Sequence, residues 1–239
     1  MEENNPYRDL SVPPAAFAAA GERAAFLKKV YGILFLGVLG FAATLWSAAN
    51  VPFANDLAMR VGAMIHGNRW GGLIYIAIFL GGSYAVHALA EKRPINVVAY
   101  AAWVVVLGFL TAPLVLWLGA AKGPEIITQA SALTALVFGG LTCYVLYTGK
   151  DFSWLRGALT MAFWGLLVVA LIGAFTGFTF GLWLSAAIVL LFAGYILYDT
   201  SVILHHLPTN MPMTGAILLF TDVVLLFKHI LILLASRND

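Results

Sequence analysis

The chain has 239 residues, 62% of them hydrophobic and only 10% charged, with a formal net charge of +2. A soluble domain of that composition would expose more contiguous apolar surface than water tolerates, so the sequence describes a membrane protein. No basic patch with interleaved aromatics is present, which argues against nucleic acid as a partner and leaves the lipid bilayer as the first one.

Residues 1–26 are polar or Ala-rich, carry Glu2, Glu3, Tyr7, Arg8, Pro13 and Pro14, and lack the short apolar core and cleavage site of a signal peptide. They are expected to form a cytoplasmic tail, followed by a single transmembrane domain over residues 27–239. Seven apolar stretches follow, each long enough as a helix rising about 1.5 Å per residue to cross about 30 Å of hydrocarbon. They cover residues 30–49, 71–90, 95–118, 126–147, 158–175, 180–204 and 213–234. Connections of roughly 5 to 20 residues leave no room for a second domain. The expected fold class is all-α, a polytopic membrane protein of seven transmembrane helices.

Along these spans, Gly37 with Gly40, Gly139 with Gly140, and Gly173 with Gly177 stand at spacings that suit close helix packing in lipid. Pro113 falls late in the third span and is expected to kink it or mark its outer end. The seven tryptophans, Trp46, Trp70, Trp103, Trp117, Trp154, Trp164 and Trp183, stand mostly near span ends, as interfacial anchors do. The lone Cys143 excludes an intrachain disulfide. No internal repeat of the kind found in inverted-repeat transporters is evident.

The loop Thr148 to Ser153 places Asp151 or Ser153 to cap the next helix. The segment His205 to Pro212 breaks the helix between the last two spans; its two adjacent histidines are too few for a closed metal site, though they could tune a nearby acid. With the N-terminus cytoplasmic, that side carries Arg8, Arg23, Lys28, Lys29, Lys92, Arg93, Lys150 and Arg156, and the other side Arg60, Arg69, Lys122 and Arg237. The asymmetry favours N-in and C-out.

Asp199 and Asp222 are the acids that lie deepest in apolar spans. A carboxylate in hydrocarbon costs several kcal/mol unless neutralised or paired, so such residues mark a functional site by default. Counted from the span ends at about 1.5 Å per residue, their depths are roughly 8 and 13 Å, so the two can meet in the cytoplasmic half of the membrane. Carboxylates sharing a site cannot both ionise cheaply, and the pair tends to hold one proton and titrate as a unit. Three uses are open: a pH-sensitive gate with transient calcium ligation by Asp199 and Asp222, the dyad of an intramembrane aspartyl protease, or plain fastening of helices. Leu219, Phe220 and Thr221 precede Asp222 in place of the protease's Gly-x-Gly, so a non-enzymatic role is favoured. Among basic neighbours, His229 stands two turns beyond Asp222, roughly 10 Å away, and Lys228 faces elsewhere. His87, beside the Glu91, Lys92, Arg93 cluster, is better placed to latch the pair.

The segment Phe192 to Ile203, FAGYILYDTSVI, resembles the signature of the Bax inhibitor-1 (transmembrane Bax-inhibitor-motif) family. TGKDFS at Thr148 to Ser153 is similar to that family's Lys-Asp-Phe-Ser turn, and Leu218 to Leu231 to its last helix. The resemblance implies seven helices around a central seventh and a pH-sensitive calcium leak, with the paired acids on Asp199 and Asp222. It implies calcium as the permeant ion, with no cofactor. YccA-like bacterial members imply an inner-membrane location and, as an alternative function, non-conducting regulation of a membrane-bound AAA+ protease of the FtsH type. The ending Ser236, Arg237, Asn238, Asp239, without a basic tail, favours the bacterial inner membrane. Two positions depart from relatives: Leu225 and His229 stand where asparagines are frequent, and Leu89, Ala90, Glu91, Lys92, Arg93 where some relatives carry a latching arginine. The residues considered for latching or tuning the pair are therefore His87, Lys92, Arg93, His205, His206 and His229.

Overall fold

In hydrocarbon every backbone N–H and C=O must find its partner within the segment, so long Leu-, Val- and Ala-rich runs have the helix as their solution. The computed structural model describes residues 12–67, 70–176 and 181–237. Glu2, Glu3, Tyr7, Arg8, Arg69, Gly177, Phe180, Asn238 and Asp239 lie outside the described residues. Eight α-helices form among those described: α1 (Ala20–Asn50), α2 (Pro52–His66), α3 (Gly71–Leu89), α4 (Ile95–Lys122), α5 (Glu125–Thr148), α6 (Arg156–Thr176), α7 (Gly181–His205) and α8 (Pro212–Arg237). All but α2 belong to the seven segments long and apolar enough to cross a membrane.

The helix α2 lies in what reads as a loop. Pro52 occupies its first turn, where the missing N–H is no loss. Ala54, Ala58 and Ile65 are its buried positions, while Phe53 and Met59 stay exposed, and an Arg60–Asp56 pair at 2.8 Å lies on its surface. An amphipathic helix of this length suits the membrane interface. Helix α1 begins at Ala20, inside the segment read as tail, and residues just before it are packed down: Ala15 is buried and the Ala16 N–H donates to the Leu204 carbonyl at 2.8 Å.

Helix α8 is the axis of the bundle. It packs against α1, α3, α4, α5 and α7, and Ile217, Leu219, Phe220, Leu226 and Leu231 along it are fully buried. Helix α1 meets this core along Phe26, Val30, Leu34, Gly37, Phe41, Thr44 and Ala48, a stripe at three- and four-residue steps. Gly37 has a backbone use: a Cβ there would run into the Tyr100 hydroxyl of α4. Gly139 and Gly140 differ from expectation, since a Cβ on either meets open space. Pro113 does not mark the outer end of its span, because α4 continues through it to Lys122, and Gly62 of α2 packs on its ring. Buried threonines return their hydroxyls to the carbonyl one turn back, as Thr111 does to Leu107 at 2.8 Å and Thr134 to Ala130 at 2.7 Å.

Candidate functional site

The antiparallel hairpin of α7 and α8 carries both intramembrane acids. Asp199 lies in the last two turns of α7 and Asp222 about three turns into α8, which brings them level once the chain reverses through the short loop at 206–211. Their carboxyls are in hydrogen-bond contact. Both are sealed from the surface, Asp199 at 5% and Asp222 at 4% exposure. Ionised carboxylates offer acceptors only, so a contact between them requires a proton to be shared. Oδ2 of Asp222 remains a buried acceptor with no partner. Tyr195, one turn before Asp199, is close enough to feel both charges, and its hydroxyl donates to the Leu159 carbonyl of α6 at 3.4 Å.

Beyond the pair, Trp103 of α4 is buried, and its indole N–H donates to the Thr221 hydroxyl at 3.1 Å. Thr221 in turn donates to the Ile217 carbonyl at 3.0 Å. Trp103 is therefore not an interfacial anchor but a support for the α8 turn that holds Asp222. The other six tryptophans are all less buried than Trp103, and Trp46, Trp117, Trp154 and Trp183 are the most exposed of them.

The end of α7 is tied to the loop after α5. Asp151 Oδ1 accepts from the Ser153 N–H at 2.8 Å and from the Ser201 hydroxyl at 3.1 Å, and Ser201 Oγ accepts from the Phe152 N–H at 2.7 Å. His206 Nε2 lies 3.1 Å from Asp151 Oδ2, and His205 Nδ1 lies 3.1 Å from the Ser201 carbonyl. Partial burial pushes the Asp151 carboxyl up, but hydrogen bonds from Ser153 and the neighbouring His206 outweigh it and hold the group below its ordinary value. Asp151 does not cap the next helix as expected: it accepts the Ser153 N–H ahead of a 3-10 turn at Ser153–Leu155, whose capping position is Phe152, with no side-chain cap bond. Ser201 was not anticipated; its only sequence signal is its place two residues after Asp199.

The remaining candidates lie apart from the pair. His87 is half-buried on α3, with Nδ1 2.7 Å from the Ser83 carbonyl, and α3 does not pack on α7. Lys92 and Arg93 are exposed in the turn after α3 and form no ion pair with either aspartate. His229 is in the far half of α8, its Nδ1 buried without a partner. Lys228 places its ammonium 3.8 Å from the centre of the Tyr75 ring, a cation–π contact that accounts for a charge within the span. No cluster of three or more His, Cys, Asp or Glu among the described residues is placed to hold a metal ion.

Seven spanning helices, the last of them central, with a sealed carboxyl pair between the last two, define a polytopic membrane protein with an intramembrane acid site. The family model described as inhibitor of apoptosis-promoting Bax1 matches residues 23–239. The chain belongs to this family, the Bax inhibitor-1 family. It is 33% identical over 227 residues to the Golgi anti-apoptotic protein of vaccinia virus, covering 93% of this chain and 90% of the viral one. Identity to mouse protein lifeguard 4 is 30% over 224 residues, 93% of this chain and 90% of the relative. An uncharacterized protein of Pseudomonas aeruginosa is 31% identical over 221 residues, 91% of each chain.

Proposed function

We propose that the protein is a pH-sensitive calcium leak of a bacterial inner membrane, oriented N-in, with the Asp199–Asp222 pair as its gate. The observation that carries this reading is the contact between two fully enclosed carboxyls. A fastening device needs one hydrogen-bonded polar group; a second acid at the same point adds a charge whose presence depends on pH. In the conformation described the pair is enclosed, which on this reading is the closed gate. Loss of the shared proton leaves two like charges in contact, which pushes α7 and α8 apart and creates oxygen ligands of the kind calcium prefers. The orphan Oδ2 of Asp222 is the first such ligand. With two carboxylates and no cluster of three or more acidic, histidine or cysteine ligands among the described residues, the site binds calcium weakly and is suited to passing it.

Purified protein in liposomes loaded with a calcium indicator tests the reading, with potassium as the comparison ion. Calcium flux that changes with pH between about 5 and 8 is the expected result. Protein-dependent flux absent throughout that range, in liposomes where the protein is shown to be inserted and folded, overturns it.

A further inference from the structure

Helices α1 and α5 both pack on α8 yet do not approach each other. Between them runs a crevice of about 600 Å³ floored by Val223, Val224 and Phe227 of α8. Its walls reach from Tyr31 to Ala49 on α1, about 27 Å at 1.5 Å per residue. The volume is that of a ligand site, but the lips are Phe35 and Trp46, at 61% and 64% exposure, so the opening faces hydrocarbon and not water.

Two features distinguish the end nearest the start of α1. Lys28 is exposed three residues before Tyr31, on the same face and one turn nearer the membrane surface. Just inside, Tyr31 of the crevice wall sets its hydroxyl beside those of Thr142 and Thr200, which are buried behind it. Tyr31 reaches across to Thr142, so the gap there is one side chain wide. A helix, about 10–12 Å across with its side chains, does not fit.

We propose that this crevice seats one acyl chain of an anionic phospholipid, the phosphate meeting Lys28 and the chain entering past Tyr31. The chain slips in sideways from the bilayer and lies along α8. Val223 of the floor follows Asp222, so the occupant touches the residue next to one of the two acids. The proposal stands whether or not the pair gates an ion.

The test uses the intact protein extracted with a mixture of phosphatidylglycerol and phosphatidylcholine bearing the same tails, examined by native mass spectrometry. One phosphatidylglycerol per chain is expected, retained roughly tenfold over phosphatidylcholine, with the preference lost in Lys28→Gln. Ala42→Phe with Ala135→Phe fills the crevice at two exposed positions where the fold does not require a small side chain, and is expected to lose the bound lipid. A folded double variant that retains lipid like the wild type overturns the proposal. So does a wild-type dimer that the same substitutions dissociate, which would assign the crevice to a second copy. Phosphatidylglycerol with a photoreactive tail gives a readout on the unaltered chain: crosslinks concentrated at Phe35, Phe138 and Phe227 support the site, and crosslinks spread evenly over the lipid-facing surface overturn it.

Discussion

Asp199 and Asp222 touch, so neither can be altered without changing what the other does. Asp199→Asn and Asp222→Asn each leave one carboxyl beside an amide, which supplies the donor that the shared proton supplied before. Each single variant is expected to shift the pH profile of calcium flux, and the double variant to flatten it over about pH 5–8, measured as indicator uptake in liposomes. Wild-type profiles in all three would reduce the pair to a fastener. Trp103 acts one residue away from the acids through its bond to Thr221. Trp103→Phe removes that donor and leaves a small void beside Gly82, against which the indole packs. A loss of about 1–2 kcal/mol in unfolding experiments in detergent is expected.

Helix packing in lipid depends on close approach, because hydrocarbon supplies no hydrophobic drive between helices. The crossing of α1 and α4 rests on Gly37 meeting Tyr100, whose hydroxyl donates to the Ile33 carbonyl at 3.3 Å. Gly37→Ala is expected to cost about 1–3 kcal/mol by overpacking, and Tyr100→Phe in the same chain to recover part of it, as read from thermal unfolding of the single and double variants. At the end of α7, Asp151 gathers the Ser153 amide, the Ser201 hydroxyl and His206. In Asp151→Ala the Ser153 amide is expected to exchange about tenfold faster, the effect of one lost charge-assisted hydrogen bond. The sign with pH follows from the lowered pKa of Asp151. Its contribution is complete above the ordinary carboxylate value of about 3.9 and disappears as pH falls through the depressed one, so wild-type protection of this amide should persist through mild acid and fail only in strong acid.

For the molecule as a whole, two pH effects oppose each other. In the proposed gate, deprotonating the pair would open the α7–α8 contact and attract calcium, but fully charged carboxylates would also hold a divalent cation longer and slow its departure. Calcium flux is therefore expected to pass through a maximum near the pH at which the pair titrates. Uptake measured in small steps from about pH 5 to pH 8 decides this: a monotonic curve would show one effect governing the whole range. The enclosing core around α8 suits such a device, since a packed bundle has discrete arrangements and does not yield continuously.

The seven spans were legible from residue order, because burial in lipid demands long apolar helices, and Asp199 and Asp222 stood out because each intramembrane charge is penalised by itself. The depth count also brought the two acids level, since a helix advances by a constant rise. Helix α2 was not legible, because a short amphipathic helix at an interface needs no continuous apolar run. Nor were the Asp151–Ser201 tie, the Trp103–Thr221 support and the gap between α1 and α5, which join residues as far apart as Trp103 and Thr221. Spacing along one helix determines which face a side chain occupies. Which neighbour that face meets depends on how five helices divide the surface of α8, and only the tertiary structure decides that.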